Sequence, residues 1–116
     1  MINVLLVGAG GSLGSMLRYT LSLYLPYPTV IVNLVGSFFI GILLAFGQSR
    51  LGSTWYHLLI PGFLGGFTTY SAFSGEILGH LKEQLYTSAF LYIATTLVIG
   101  LLLTAAGFFT TRLLLN

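Results

Sequence analysis

The 116-residue chain is 56% hydrophobic and only 5% charged, with a mean hydropathy of +0.98 and a formal net charge of +2. An average soluble domain carries about 25% charged residues, so this composition excludes an ordinary water-facing surface and indicates a bilayer protein. The chain has no cysteine for a disulfide or thiolate metal site, only Glu76 and Glu83 as side-chain carboxylates, and too small a basic surplus for nucleic acid binding.

Four apolar segments are long enough, or nearly so, to cross a bilayer, which requires about 20 mostly apolar residues. The first lacks the basic region of a cleavable signal peptide, so we interpret it as a span. We therefore expect an all-α, multi-pass membrane protein in which residues 1–116 form a single four-helix transmembrane subunit. The expected spans are Ile2 to Leu25, Thr29 to Phe46, Trp55 to Leu78 and Thr87 to Leu115, with breaks at Pro26 to Pro28, Gly47 to Thr54 and Gly79 to Tyr86.

The first span contains VLLVGAGGSLG, Val4 to Gly14, which looks like a dinucleotide-binding turn. Its third glycine, Gly14, falls one position late for that fingerprint, and no acid follows before Glu76, so nucleotide binding is disfavoured. Small residues four apart instead indicate close helix packing in lipid. These pairs are Gly8 and Ser12, Gly10 and Gly14, and Gly11 and Ser15.

Single polar residues in the first two spans each have two interpretations. Arg18, near the end of the first span, either extends to the lipid headgroups or lies at the mouth of a water-filled path and attracts anions. Asn33 shares a face of the second span with Ser37 and Gly41. Its amide either joins two helices or lines a pore, where its NH2 group can donate two hydrogen bonds to a dehydrated anion.

The third span is interrupted by GGFTTYSAF, residues 65–73. Paired glycines and paired threonines are poor helix formers, so we expect the third helix to be broken at mid-span. Irregular backbone at membrane depth is tolerated only inside protein or beside a cavity. Freed carbonyl oxygens suit a hard cation, whereas the positive ring edges of Tyr70 and Phe73 suit an anion.

The fourth span places Tyr92 and Thr96 on one face, as a hydroxyl track, although a threonine can instead bond back to its own helix. His57 and His80 lie near span ends without a second ligand at metal spacing, so we expect no metal there. Glu76 and His80, one turn apart, are candidates for a pair.

The basic residues are divided evenly between the two sides of the membrane. Arg50 and Arg112 fall on one side, and Arg18 and Lys82 on the other. Orientation normally follows an excess of Lys and Arg in cytoplasmic loops. The balance leaves two interpretations: the N-terminal amine or small local differences set one orientation, or copies insert both ways in a dual topology.

Three segments together are similar to the small bacterial Fluc (CrcB-type) fluoride channels, along nearly the whole chain. They are GAGGSLGSMLRY in the first span, NLVGSFFIG in the second and GFLGGFTTYSAFSGE in the third. The resemblance implies a passive, non-enzymatic, fluoride-selective channel of the bacterial inner membrane that lets cytoplasmic fluoride leave down its gradient. It further implies an antiparallel, dual-topology homodimer in membrane lipid, with two fluoride pores and one central structural sodium ion (Na+).

The resemblance also implies roles for individual residues. Gly65 and Thr68 match the positions whose backbone carbonyls hold the sodium ion. Glu76 matches an acid that follows the phenylalanine pair. The implied fluoride pore residues are Asn33, Tyr70, Phe73, Tyr92 and Thr96, with Arg18 near the aqueous entrance.

The chain departs from the family pattern at two positions. Tyr70 replaces the first pore phenylalanine, and Gly100, next along the Thr96 face, offers no hydroxyl. Since the family includes pairs of unlike subunits that work only together, a heterodimer is the alternative assembly. The alternative function is a small dual-topology multidrug or cation exporter, but that activity needs a buried carboxylate in the first span, which has none.

Overall fold

The computed structural model describes all 116 residues, Met1–Asn116, and contains helices and turns but no strand. The all-α prediction is confirmed, and so is the break in the third span, whose two halves are α3 and α4. The helices are α1 (Ile2–Ser22), α2 (Pro28–Leu51), α3 (residues 53–67), α4 (Tyr70–Lys82) and α5 (Tyr86–Leu115).

Proline and glycine set the helix boundaries near the predicted positions. Pro28 occupies the first turn of α2, where its missing N–H has no helical partner to lose. Within α2, Gly47 has φ 71° and ψ 168°, so the continuous helix ends at Phe46, as predicted, and a short turn follows. The first helix ends at Ser22, three residues before the predicted Leu25.

Helices α1 and α3 pack with their backbones in close contact. A Cβ atom on Gly10 would overlap the carbonyl oxygen of Leu58, and one on Gly14 would overlap that of Phe63. The predicted packing role of this glycine pair is therefore confirmed. Within the subunit, Gly8 has open space around it, and the Ser12 hydroxyl donates to the Gly8 carbonyl at 2.8 Å.

A second close pair is formed by α2 and α5. Gly41 abuts the backbone of Thr104, and Gly107 abuts the backbone of Phe38. The Thr104 hydroxyl crosses between the helices and donates to the Ser37 carbonyl at 2.9 Å. The subunit is thus two tightly packed helix pairs, with the short helix α4 beside the start of α5.

Two helices widen locally into π-helical turns. In α3 the wide stretch is Leu58–Leu64 and contains Pro61, whose ring and missing N–H do not fit a regular α-helix. In α5 it is Thr95–Ile99. Both wide turns contribute residues to one groove between α2, α3, α4 and α5.

The surface of the subunit is largely apolar. Only 14 of the 116 residues are buried, and large apolar side chains are exposed along every helix. Helices α2 and α5 are long and apolar enough to cross a bilayer, yet only 22% and 11% of their most apolar windows are buried. Apolar helices that face outward fit lipid or a partner, so the architecture is that of a membrane protein.

Candidate functional site

The break in the third span lies at two threonines. Thr68 has φ −90° and ψ 157°, and Thr69 has φ −150° and ψ 118°, both extended. The expectation that the glycines share in the break is wrong, because Gly65 and Gly66 remain helical. Gly66 serves close packing instead, since a Cβ atom there would overlap the carbonyl oxygen of Gly11.

The side chain of Asn33 reaches across from α2 and bonds to both polar backbone atoms of Thr69. Its Nδ2 donates to the Thr69 carbonyl at 3.1 Å, and its Oδ1 accepts from the Thr69 N–H at 2.8 Å. One N–H of the amide is thereby engaged and the other is left for a second acceptor. The interpretation of Asn33 as a link between helices is therefore confirmed, and the second N–H leaves a pore role open.

Arg18, on α1, also contacts the broken third span. Its Nε donates to the Gly66 carbonyl at 3.1 Å, and the Ser15 hydroxyl donates to the same oxygen at 3.4 Å. Arg18 is therefore directed toward the backbone of α3 and does not line the groove with Asn33. Because of the break, the Gly66 carbonyl has no N–H partner in its own helix, and the Arg18 guanidinium donates to it instead.

The other backbone groups of the break divide into satisfied and unsatisfied sets. The Leu64 carbonyl accepts from both the N–H and the hydroxyl of Thr68, each at 3.0 Å. The Thr69 hydroxyl caps α4 by accepting from the Ala72 N–H at 3.2 Å. By contrast, the carbonyl oxygens of Gly65, Phe67 and Thr68 receive none of the turn, capping or side-chain hydrogen bonds.

A groove of about 460 Å³ runs along the break between α2, α3, α4 and α5. It brings together six of the eight residues that the family resemblance assigned to the fluoride pore or the sodium site, and its lining has no formally charged side chain. Those six are Asn33, Gly65, Thr68, Tyr70, Phe73 and Thr96. The groove also contains two positions that bear the unbonded carbonyls, Gly65 and Thr68.

Three aromatic rings stand in series beside the groove. The Phe73 ring, only 7% exposed, lies 5.8 Å from the Tyr70 ring and 5.4 Å from the Tyr92 ring, centroid to centroid. Tyr70 is 80% exposed. Tyr92 therefore joins the site from behind Phe73, although it is not part of the groove lining.

Glu76 and His80 do not pair with each other, so that expectation is wrong. The Glu76 carboxylate instead accepts from the Tyr92 hydroxyl at 3.0 Å. The His80 ring packs edge-on against Tyr92, 5.8 Å between centroids, and its buried Nδ1 has no partner. No group of three metal-ligating side chains occurs in the chain.

The hydroxyl of Thr96 is buried and has no hydrogen-bond partner. It therefore does not bond back to its own helix, the alternative that spacing had left open. Thr96 lines the groove at the wide turn of α5, so its unpartnered O–H is a free donor beside the groove.

Sequence reasoning missed the partners that shape the site. Thr69 received no role, although its backbone binds Asn33 and its hydroxyl caps α4. Gly36 was also overlooked; a Cβ atom there would overlap the Thr68 methyl group. The one available signal was its position between Asn33 and Ser37, but the contact itself depends on tertiary packing.

Comparison with known proteins gives consistent matches. A family model described as "CrcB-like protein, Camphor Resistance (CrcB)" matches residues 5–108. The "Fluoride-specific ion channel FluC" of Albidiferax ferrireducens is 42% identical, covering 99% of this chain and 95% of that protein. The protein of the same name from Rhizobium meliloti is 39% identical, over 92% and 94% of the two chains. "Fluoride-specific ion channel FluC 1" of Listeria innocua is 37% identical, over 92% and 95%.

Proposed function

Since the chain belongs to the CrcB-like family, whose matched relatives are named fluoride-specific ion channels, we propose that it is a passive fluoride-selective channel. It releases cytoplasmic fluoride across the inner membrane, down the electrochemical gradient, and catalyses no reaction. The observation that carries the proposal is the groove at the broken helix, which offers hydrogen-bond donors and a ring without a formal charge.

The groove has the properties that selective passage of a small anion requires. A fluoride ion that leaves water must be given donors, yet a full positive charge would hold it too tightly for release. The second N–H of Asn33 and the unpartnered hydroxyl of Thr96 provide neutral donors. Tyr70 and Phe73 supply ring edges, whose partial positive charge adds weak attraction.

We further propose that the carbonyl oxygens of Gly65 and Thr68 hold a structural sodium ion. Carbonyl oxygens are hard donors that suit such a cation, and these two accept no capping or side-chain hydrogen bond. A bound sodium ion would have a structural role here, because it would satisfy carbonyl oxygens that the break leaves without helical partners. Gly65 is exposed in the single subunit, so a second copy can complete the ligand set.

The proposed assembly is an antiparallel, dual-topology homodimer with two pores. The balanced basic residues support insertion in both directions. The exposed Tyr70 ring and the open groove support coverage by a second subunit. A heterodimer with an unlike subunit is the competing assembly.

Efflux from liposomes tests the function. The purified protein is reconstituted with internal potassium fluoride, and the release of fluoride is recorded after a potassium ionophore is added. We expect rapid fluoride release and no chloride release from matched chloride-loaded vesicles. Proton-coupled efflux of an organic cation without fluoride release would contradict the proposal and favour the exporter.

A further inference from the structure

We infer that Asn33 is a positioning residue for the cation site: its amide orients the carbonyl of Thr68. This inference rests on the proposed sodium site and adds a role that differs from anion contact. The starting observation is the bond of 2.8 Å between the Thr69 N–H and Asn33 Oδ1.

The coupling follows from the geometry of one peptide unit. The Thr69 N–H and the Thr68 C=O belong to the same planar group, and no peptide bond in the chain is cis. In a trans peptide the N–H and C=O point in opposite directions. Holding the Thr69 N–H toward Asn33 therefore directs the Thr68 carbonyl oxygen away from Asn33, where it accepts no capping or side-chain bond.

No other hydrogen bond around the break involves the N–H or the C=O of this peptide unit. The Thr68 hydroxyl donates to the Leu64 carbonyl, and the Thr69 hydroxyl caps α4, but neither binds the Thr69 N–H. The second bond from Asn33, to the Thr69 carbonyl, closes a two-point clamp around Thr69. Without these two bonds from Asn33, the extended backbone of Thr68 and Thr69 can rotate, and the Thr68 carbonyl loses its fixed direction.

The clamp is compatible with a pore role for the same side chain. Nδ2 has two hydrogens, of which one bonds the Thr69 carbonyl. The Oδ1 atom, by contrast, acts on the backbone alone. Loss of Asn33 should therefore affect cation binding as well as anion passage, and a flux measurement alone cannot separate the two effects.

The test measures sodium binding without fluoride. Thermal unfolding of the purified dimer in detergent is followed against sodium concentration at constant ionic strength, with N-methylglucamine as the replacement cation. We expect Asn33→Leu to raise the half-stabilising sodium concentration by about tenfold, the size that loss of one neutral hydrogen bond supplies. Thr96→Val is the matched control: it removes a groove hydroxyl, leaves the break intact and should not move that concentration.

Three outcomes would overturn the inference. If Asn33→Leu loses fluoride flux but keeps the wild-type half-stabilising sodium concentration, Asn33 acts only in the pore. If Thr96→Val raises the half-stabilising sodium concentration as much as Asn33→Leu does, the increase reflects general damage to the groove and not loss of the Asn33 clamp. If sodium does not stabilise the wild-type dimer, the proposed cation site is wrong, and so is the role of Asn33 in it. The fluoride efflux assay would still test the channel function separately.

A measurement on the wild-type protein keeps the inference testable if Asn33→Leu does not assemble. By linkage, a cation that needs the clamp must also stabilise it. Sodium should therefore slow hydrogen exchange of the Thr69 amide, and more than that of the Ala72 amide, which is capped by a side chain independent of Asn33. Equal protection of both amides with and without sodium would contradict the inference.

Discussion

At the scale of single residues, the site is built from groups that are polar but uncharged. Phe73 is the most buried of the three rings and lies between Tyr70 and Tyr92. In the proposed channel, Phe73 would contribute a ring quadrupole, whose positive edge would attract an anion without the tight binding that a cation would impose. Asn33 lines the same groove, and in the proposed channel its second amide N–H would donate a hydrogen bond to the anion.

The ring hypothesis predicts opposite results for two substitutions. Phe73→Ile keeps bulk and apolarity but removes the quadrupole, so fluoride efflux from liposomes should fall sharply while the dimer still assembles on size exclusion. Tyr70→Phe removes only an exposed hydroxyl and should preserve or raise efflux. A silent wild-type homodimer that gains flux only beside an unlike subunit would show instead that Tyr70 marks one half of an obligate pair.

At the scale of helices, close packing between α1 and α3 decides where the break is held. Gly10 and Gly14 bring the two backbones together, and Gly66 then meets Gly11 within reach of Arg18 and Ser15. The carbonyl of Gly66 is satisfied only because this approach is so close. The glycine face of α1 is therefore part of the framework of the site.

Matched alanine substitutions test this framework. Gly14→Ala places a methyl group against the Phe63 backbone, which cannot move aside cheaply, and should destabilise the protein by about 1–3 kcal/mol. Gly8→Ala meets nothing within 4 Å and gains helix propensity, so it should be neutral or stabilising by up to about 1 kcal/mol. Thermal unfolding in detergent compares them; equal effects would contradict the packing role.

The elements were more predictable from the sequence than the contacts between them. Spans and breaks follow from hydropathy, proline and glycine, which act locally, and the break in the third span was correctly expected. Its residues were expected correctly for the two threonines but wrongly for the two glycines, because Gly66 stays helical to fit Gly11 across a helix interface. The Asn33 clamp joins residues 36 positions apart, a pairing that no local spacing reveals. Similarly, the acceptor of the Tyr92 hydroxyl is set by how α4 meets α5.

At the scale of the whole molecule, the single subunit leaves much apolar surface and an open groove uncovered. Its principal dimensions are 48 × 32 × 23 Å, long enough to cross the hydrocarbon core of about 30 Å, yet its apolar helices have little buried surface. The groove is open, and the unbonded carbonyl of Gly65 belongs to an exposed residue. A second copy would cover these features, and the charge balance bears on how that copy is oriented.

The absence of cysteine makes topology directly measurable, since single labels have no background. Ser53→Cys and Thr87→Cys place neutral, exposed labels at opposite ends of the spans. With dual topology, a membrane-impermeant maleimide should label about half of each variant on whole cells. Complete labelling of one position and none of the other would establish a single orientation and contradict the antiparallel dimer.

Added charge should then control both orientation and activity. Gln48→Lys with Ser49→Lys adds two charges beside Arg50 and should hold that end in the cytoplasm, so antiparallel pairs become rare and cellular fluoride export falls. Gln84→Lys with Thr87→Lys should do the same in the opposite orientation. Neither variant should export fluoride alone, but co-expression should restore export, because the two fixed orientations supply the two halves of one dimer. Full export by either variant alone would mean that parallel subunits suffice.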